Sequence, residues 1–210
     1  MQDPAIVAGS RCIRKGGCLI YPTETFYALG GNALDPALVD RVFRLKARPG
    51  NKPLPLIIGH FELLSTVAAS CPPELDRVVS RFWPGPLSVL LPARRDLPDP
   101  LTDSSGYVCV RWTPHPLAAA LSRESGTALV ATSANRSGMP AVADPKELDP
   151  GLVSEVDMVF SQNPRPLGQA PSTIVRFEGV LAVTVIRVGA VSAQELERAG
   201  FIVLPSQPES

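Results

Sequence analysis

Two short polar clusters in this sequence have the residue types to grip a polyphosphate. Lys46-Ala47-Arg48 places two cations within one helical turn, and Ser133-Ala134-Asn135 sets a hydroxyl and an amide two positions apart. Cations neutralise phosphate charge, and small polar side chains hydrogen-bond its oxygens. Either pair alone reads more plainly, Lys-x-Arg as a solvated helix end and Ser-x-Asn as a turn or cap. The following Pro49-Gly50-Asn51-Lys52-Pro53 adds a third cation within seven residues, on a stiff turn. Neither a Walker loop nor Gly-x-Gly-x-x-Gly is present, so a nucleotide site here needs another architecture.

Other polar residues sit where strands end. Thr23 and Thr25 follow an apolar run at 18–21, the place where open α/β sheets receive ligands. Glu24 between them reads as a base or, more commonly, as a solvated loop carboxylate. Arg111 closes an apolar strand, where it either snorkels to solvent or faces an anion. Ser172, which precedes a strand, and Arg187, which closes one, each read alone as surface residues. His60 and His115 have no metal-type neighbours in sequence and read as bystanders. No Gly-x-Ser-x-Gly and no Ser-His-Asp or Cys-His arrangement appears.

The elements that must hold these residues follow from pattern and punctuation. Helices are expected over 4–15, stopped by Gly16-Gly17, over 35–47 with Asp35 as cap, and over 61–69, 74–82 and 116–124. A last helix over 192–199 carries a capping box of Ser192 and Glu195. Strands are expected over 18–21, 54–58, 87–91, 107–111, 128–131, 158–160, 173–177 and 181–188. Residues 21–31 read as a strand running out into a loop, and Trp83-Pro84-Gly85-Pro86-Leu87 as a rigid structural turn. The segment 141–171 has the Pro and Gly content of a mobile lid, and the tail from Pro205 reads as loose. The mixture implies one α/β sheet with parallel and antiparallel pairs.

Composition sets the frame. The 210 residues are 45% apolar, enough for one domain with a full core. No run of about 18 apolar residues is present, which excludes a transmembrane helix, and residues 1–10 lack the cationic flank of a signal peptide. Twenty acidic residues balance twenty basic ones, which speaks against sequence-wide attraction to nucleic acid or membranes. The four cysteines show no Cys-x-x-Cys spacing, so a zinc site is not expected and a reduced cytoplasm is the natural setting.

Taken in order, several motifs resemble the YrdC-type threonylcarbamoyl-AMP synthases. They are Pro22-Thr23-Glu24-Thr25-Phe26-Tyr27-Ala28-Leu29-Gly30, Leu45-Lys46-Ala47-Arg48-Pro49 with Lys52-Pro53-Leu54, and Trp83-Pro84-Gly85-Pro86-Leu87-Ser88. Val108-Cys109-Val110-Arg111, Thr132-Ser133-Ala134-Asn135 and Pro171-Ser172-Thr173-Ile174-Val175 continue the series. The resemblance spans residues 4–191. It implies a single α/β domain over 1–191, with a twisted mixed sheet, flanking helices and a cationic concave face. Residues 192–210 form a C-terminal helix and loose tail.

The resemblance also implies a reaction. L-threonine, bicarbonate and ATP would give L-threonylcarbamoyl-AMP and pyrophosphate, for threonylcarbamoyladenosine modification of tRNA. Lys46 and Arg48 would be catalytic and hold phosphates, with Ser133, Asn135 and Arg187 completing the ATP site. Thr23, Arg111, Ala131 and Ser172 would surround threonine. Mg²⁺ would come with ATP rather than on protein ligands. The expected partners are the downstream tRNA threonylcarbamoyl transferase machinery and tRNA or other RNA, with no membrane. Departures from the family pattern cluster around the pocket. Ala28 replaces a usual glycine, Arg111-Trp112-Thr113 a common Arg-x-Pro, and Ser161-Gln162-Asn163 a common Asp-Gly-Gly, while Arg187-Val188-Gly189 lacks the usual proline. Two rivals stand beside this expectation: a non-catalytic RNA-binding or regulatory protein of the same fold, and a carbamoyl-adenylate enzyme with another substrate.

Overall fold

The structure, a computed structural model, describes residues 3–47 and 53–205. Helix α1 (Pro4–Arg14) begins on Asp3, whose side chain accepts from the Ala5 amide. Strand β1 (Leu19–Pro22) then turns back into β2 (Tyr27–Gly30), antiparallel, with Leu19 opposite Gly30 and Pro22 opposite Tyr27. The expected loop at 27–30 is therefore a buried strand. Its turn is made of the polar residues Thr23, Glu24 and Thr25, closed by the Thr23 amide donating to the Phe26 carbonyl at 3.1 Å.

Helix α2 (Pro36–Lys46) is capped by Asp35 and ends on Ala47 in the left-handed conformation, φ 47°. Its buried residues Leu38, Val39, Val42 and Leu45 recur at helical spacing. After β3 (Leu56–Ile58), the expected helix at 61–69 is instead a run of 3₁₀ turns, Phe61–Thr66. Ser65 and Thr66 hydroxyls donate to the carbonyls three residues back, and His60 offers no side-chain cap. Both features favour the tighter winding.

Helix α3 (Leu75–Arg81), β4 (Leu87–Pro92), β5 (Tyr107–Trp112), α4 (Pro116–Ser125), β6 (Leu129–Val130) and β7 (Thr132–Ser133) follow. Then come α5 (Pro150–Ser154), β8 (Met158–Val159), β9 (Thr173–Phe177), β10 (Ala182–Arg187), α6 (Ala193–Arg198) and β11 (Ile202–Leu204). The α6 capping box forms as its sequence predicts, with Ser192 and Glu195 each holding the other's backbone. Strand β11 was not anticipated. It pairs with β10 in parallel, and Leu196 and Phe201 bury themselves in the main core.

The fold is α/β, and both sheets mix parallel and antiparallel pairs. Where the sequence implies one sheet, the strands form two, ordered β7-β2-β1-β8 and β11-β10-β9-β4-β5-β3-β6. The division falls inside the run expected as a single strand over 128–131. Leu129 and Val130 pair with β3, whereas Thr132 and Ser133 pair with β2, so the chain changes sheet at Ala131. Gly30 makes this corner possible, because a Cβ there would lie 1.8 Å from the Val130 carbonyl oxygen. Strand β3 serves both hydrophobic clusters by alternation, with Leu56 and Ile58 in one and Ile57 in the other. Among the described residues, no helix is long and apolar enough to cross a membrane.

Candidate active site

An open cavity of about 590 Å³ lies where the two sheets meet. The hairpin turn between β1 and β2 supplies Thr23, the sheet corner supplies Ala131 and Ser133, and β5 supplies Arg111. Ser172 at the entry to β9 and Arg187 at the end of β10 complete the wall. Six residues separated by up to 164 positions therefore converge on one space.

Each is held by something specific. The Thr23 hydroxyl donates to the Phe26 carbonyl at 2.7 Å and lies 3.2 Å from the Thr25 hydroxyl, which fixes the polar turn. Arg187 donates from Nε and Nη2 to the Ser172 carbonyl at 3.2 and 2.7 Å, and from Nη2 to the Ser172 hydroxyl at 2.9 Å. The Ser172 hydroxyl also lies 2.9 Å from that of Ser88. Arg187 thus braces Ser172 directly, although the sequence assigned them to different ligands. A β-bulge between Val185 and Arg187 lets Ile186 and Arg187 both face the cavity, against simple alternation. Burial lowers the pKa of Arg187. The charge of Arg111 works in the same direction and Cys109 against it.

Arg111 neither snorkels nor stands alone. Its Nη1 donates to the Oε1 of Glu24, and both side chains are nearly buried, at 7% and 12% exposure. The other carboxylate oxygen of Glu24 accepts from the Thr113 hydroxyl at 2.7 Å. Glu24 is therefore not the solvated loop carboxylate of the plain reading; the hairpin turn folds it against the end of β5. Thr113 and Ser88 have contacts at the site that their places in the sequence motifs do not reveal. The available signal was a small polar residue interrupting or ending an apolar strand.

Of the first cluster, Lys46 is described, and its ammonium is engaged from within the protein. Lys46 is buried at 2% exposure, and its Nζ donates to the carbonyls of Ser133 and Asn135 at 2.6 and 2.7 Å. It lies 3.5 Å from the Ser133 hydroxyl and 3.3 Å from the Asn135 side-chain oxygen. Lys46 and Asn135 thus stand behind the cavity wall rather than on it, and Lys46 braces the turn that presents Ser133. Asn135 uses its amide on the carbonyls of Arg136 and Met139, which is the turn role its type suggests. Arg48 and Lys52 lie outside the described residues.

The segment 141–171 is tied down in several places. Tyr27 donates its amide to Val142, Leu167 to Glu24 and Gly168 to Thr25. His115 is no bystander. Its Nδ1 caps α4 by accepting from the Ala118 amide, and Nε2 lies 2.9 Å from the Pro164 carbonyl, a pairing that requires the neutral ring. Ala28 sits within β2, among the cavity-lining residues, so the residue that differs from the expected glycine belongs to a strand rather than a loop.

Comparison with known proteins agrees with this architecture. A family model for Sua5/YciO/YrdC, described as telomere recombination, matches residues 11–189. Threonylcarbamoyl-AMP synthase of Pyrococcus abyssi is 33% identical over 186 residues, covering 89% of this chain and 54% of the relative. Threonylcarbamoyl-AMP synthase of Bacillus subtilis is 31% identical over 197 residues, covering 93% and 56%. The crystal structure of P. abyssi Sua5 complexed with L-threonine superposes with a TM-score of 0.87 at 30% identity, covering 95% of this chain and 58% of that one. The chain spans about half the length of these relatives. With its motifs, sheet corner and cavity in place, and a family match over most of its length, the chain belongs to the Sua5/YciO/YrdC family.

Proposed function

We propose that this chain makes L-threonylcarbamoyl-AMP and pyrophosphate from L-threonine, bicarbonate and ATP, for the threonylcarbamoyladenosine modification of tRNA. The observation that carries this reading is the unpartnered edge of Arg111. Nη1 is committed to Glu24, while Nε and Nη2 have no protein partner among the described residues. Two parallel N–H groups on a cavity wall suit a single carboxylate. The names of the curated relatives and the threonine complex of the P. abyssi protein support the same assignment.

In this reading the threonine carboxylate lies on Arg111, with Thr23, the Ala131 backbone and Ser172 around the rest of the amino acid. The amine takes up the carbon of bicarbonate to give a carbamate and water. A carbamate oxygen attacks the α-phosphorus of ATP, and pyrophosphate leaves. Such a transfer relies on positioning and charge compensation. Arg48, Arg187 and the Ser133 hydroxyl serve the nucleotide, and Lys46 acts from behind by holding the 133–135 turn and adding its charge. Mg²⁺ arrives as the ATP complex. The adenylate then passes to a tRNA threonylcarbamoyl transferase in the cytoplasm.

Pyrophosphate release from ATP tests the proposal. Release should require both L-threonine and bicarbonate. Release without either co-substrate, or none from folded protein, would overturn it.

A further inference from the structure

Glu24 and its partners contain more than a stabilising contact. The carboxylate is gripped at both oxygens, by Arg111 Nη1 and by the Thr113 hydroxyl at 2.7 Å. Thr113 is itself fixed, since its hydroxyl oxygen accepts from the His115 amide at 3.2 Å. The only buried side-chain polar atom without a partner among the described residues is the Tyr27 hydroxyl. The unpartnered Nε and Nη2 of Arg111 therefore reach the open space of the cavity that Arg111 lines.

We propose that Glu24 is a positioning and specificity-determining residue. It turns the Nε–Nη2 edge of Arg111 toward the ligand and neutralises one of the two guanidiniums that line the cavity among the described residues, so the subsite selects a singly charged carboxylate over a dianion. The amino-acid identity of the ligand rests on the function proposed above; the charge selection does not.

An arginine guanidinium is planar and offers an anion two edges with paired donors, side-on through Nε and Nη2 and end-on through Nη1 and Nη2. Engaging Nη1 with Glu24 takes up the end-on edge and leaves the side-on edge, whose two donors match one carboxylate. Charge gives the second half of the selection. Arg111 and Arg187 both line the cavity, and Glu24 is in ionic contact with Arg111. Glu24 stands beside Arg111 rather than among the lining residues; Asp103 is the carboxylate on the wall among the described residues, and its Oδ1 is engaged by the amides of Ser105 and Tyr107. Without the Glu24 charge, the pair of guanidiniums would attract sulfate or phosphate more strongly than a monoanion.

The test compares wild type with Glu24→Gln, which keeps an acceptor for Arg111 and removes the charge. Thr113→Val is the second variant; it keeps the charge and frees one carboxylate oxygen. Circular dichroism and thermal unfolding check that each is folded. In pyrophosphate release, Glu24→Gln should raise the KM for L-threonine about tenfold or more, with kcat within about threefold and the KM for ATP unchanged. Competition by sulfate against threonine should tighten about fivefold or more. Thr113→Val should shift the threonine KM in the same direction by less. A drop of about a hundredfold in kcat, with loss of the acidic limb of its pH profile and an unchanged threonine KM, would make Glu24 a general base and overturn the proposal. Unchanged KM and unchanged sulfate inhibition would overturn it as well. If wild type releases no pyrophosphate, the proposed function fails separately. Calorimetric titration with sulfate then decides the charge selection: tighter binding to Glu24→Gln supports it, and equal binding sinks it.

Discussion

At the scale of single residues, charge and hydrogen-bond completeness decide what each side chain does. Lys46 and Arg111 are both buried cations with named oxygen partners, which is the condition under which burial is tolerated. Tyr27 is the opposite case. Its ring is fully buried and its hydroxyl has no partner among the described residues. Burial raises its pKa, so the group stays a neutral, unsatisfied donor. Leaving such a group unpaired costs about 1–3 kcal/mol, whereas an apolar replacement of the same shape is neutral or stabilising. Tyr27→Phe should therefore hold or raise the thermal midpoint, by up to about 4 °C for a chain of this size. A fall of the midpoint in calorimetry would show that the hydroxyl has a partner.

At the scale of elements, the corner between the sheets is the critical junction. Val130 and Thr132 belong to different sheets, and Gly30 packs flat against the Val130 carbonyl to allow it. A methyl at 1.8 Å from a backbone oxygen cannot be absorbed by a side-chain rotation. Gly30→Ala should destabilise by about 3 kcal/mol and separate Ser133 from the cavity wall. Urea unfolding reads the first effect, and a raised KM for ATP reads the second. An unchanged midpoint would mean the corner relaxes freely. The bulge in β10 is a second local device, because regular alternation would turn either Ile186 or Arg187 away from the cavity.

At the scale of the whole molecule, His115 couples the start of α4 to the segment 141–171. Burial lowers its pKa, with the Pro164 carbonyl and the charge of Glu24 opposing that shift. In the unfolded chain the imidazole takes up a proton near pH 6.5, while in the folded chain it stays neutral to lower pH. Between those two values the unfolded state binds more protons, so stability falls as pH drops below 6.5. The slope from this one group is at most about 1.4 kcal/mol per pH unit. Urea unfolding at several pH values should show it, and His115→Asn, which retains a helix cap, should remove that part of the slope. An identical slope in the variant would rule the coupling out.

The sequence by itself determined the helices with strong caps, such as those on Asp35 and Ser192, and the strands built from apolar β-branched runs. Those features depend on neighbours a few positions away, which a linear reading can see. It also singled out Thr23, Arg111, Ser133, Ser172 and Arg187, which line one cavity, because polar residues at strand ends and family-like motifs are local patterns. Only the tertiary structure decided what they touch. The Glu24–Arg111 pair and the brace from Lys46 to Ser133 each join residues 87 positions apart. The short strand β2 was hidden by its polar turn, and β7 and β11 had too few residues to outweigh their surroundings. Two cations that read alike in the chain, Lys46 and Arg111, ended with different tasks. One is enclosed behind a turn whose carbonyls take up its ammonium, and the other keeps an edge open to the cavity, because Glu24 engages it through Nη1 alone.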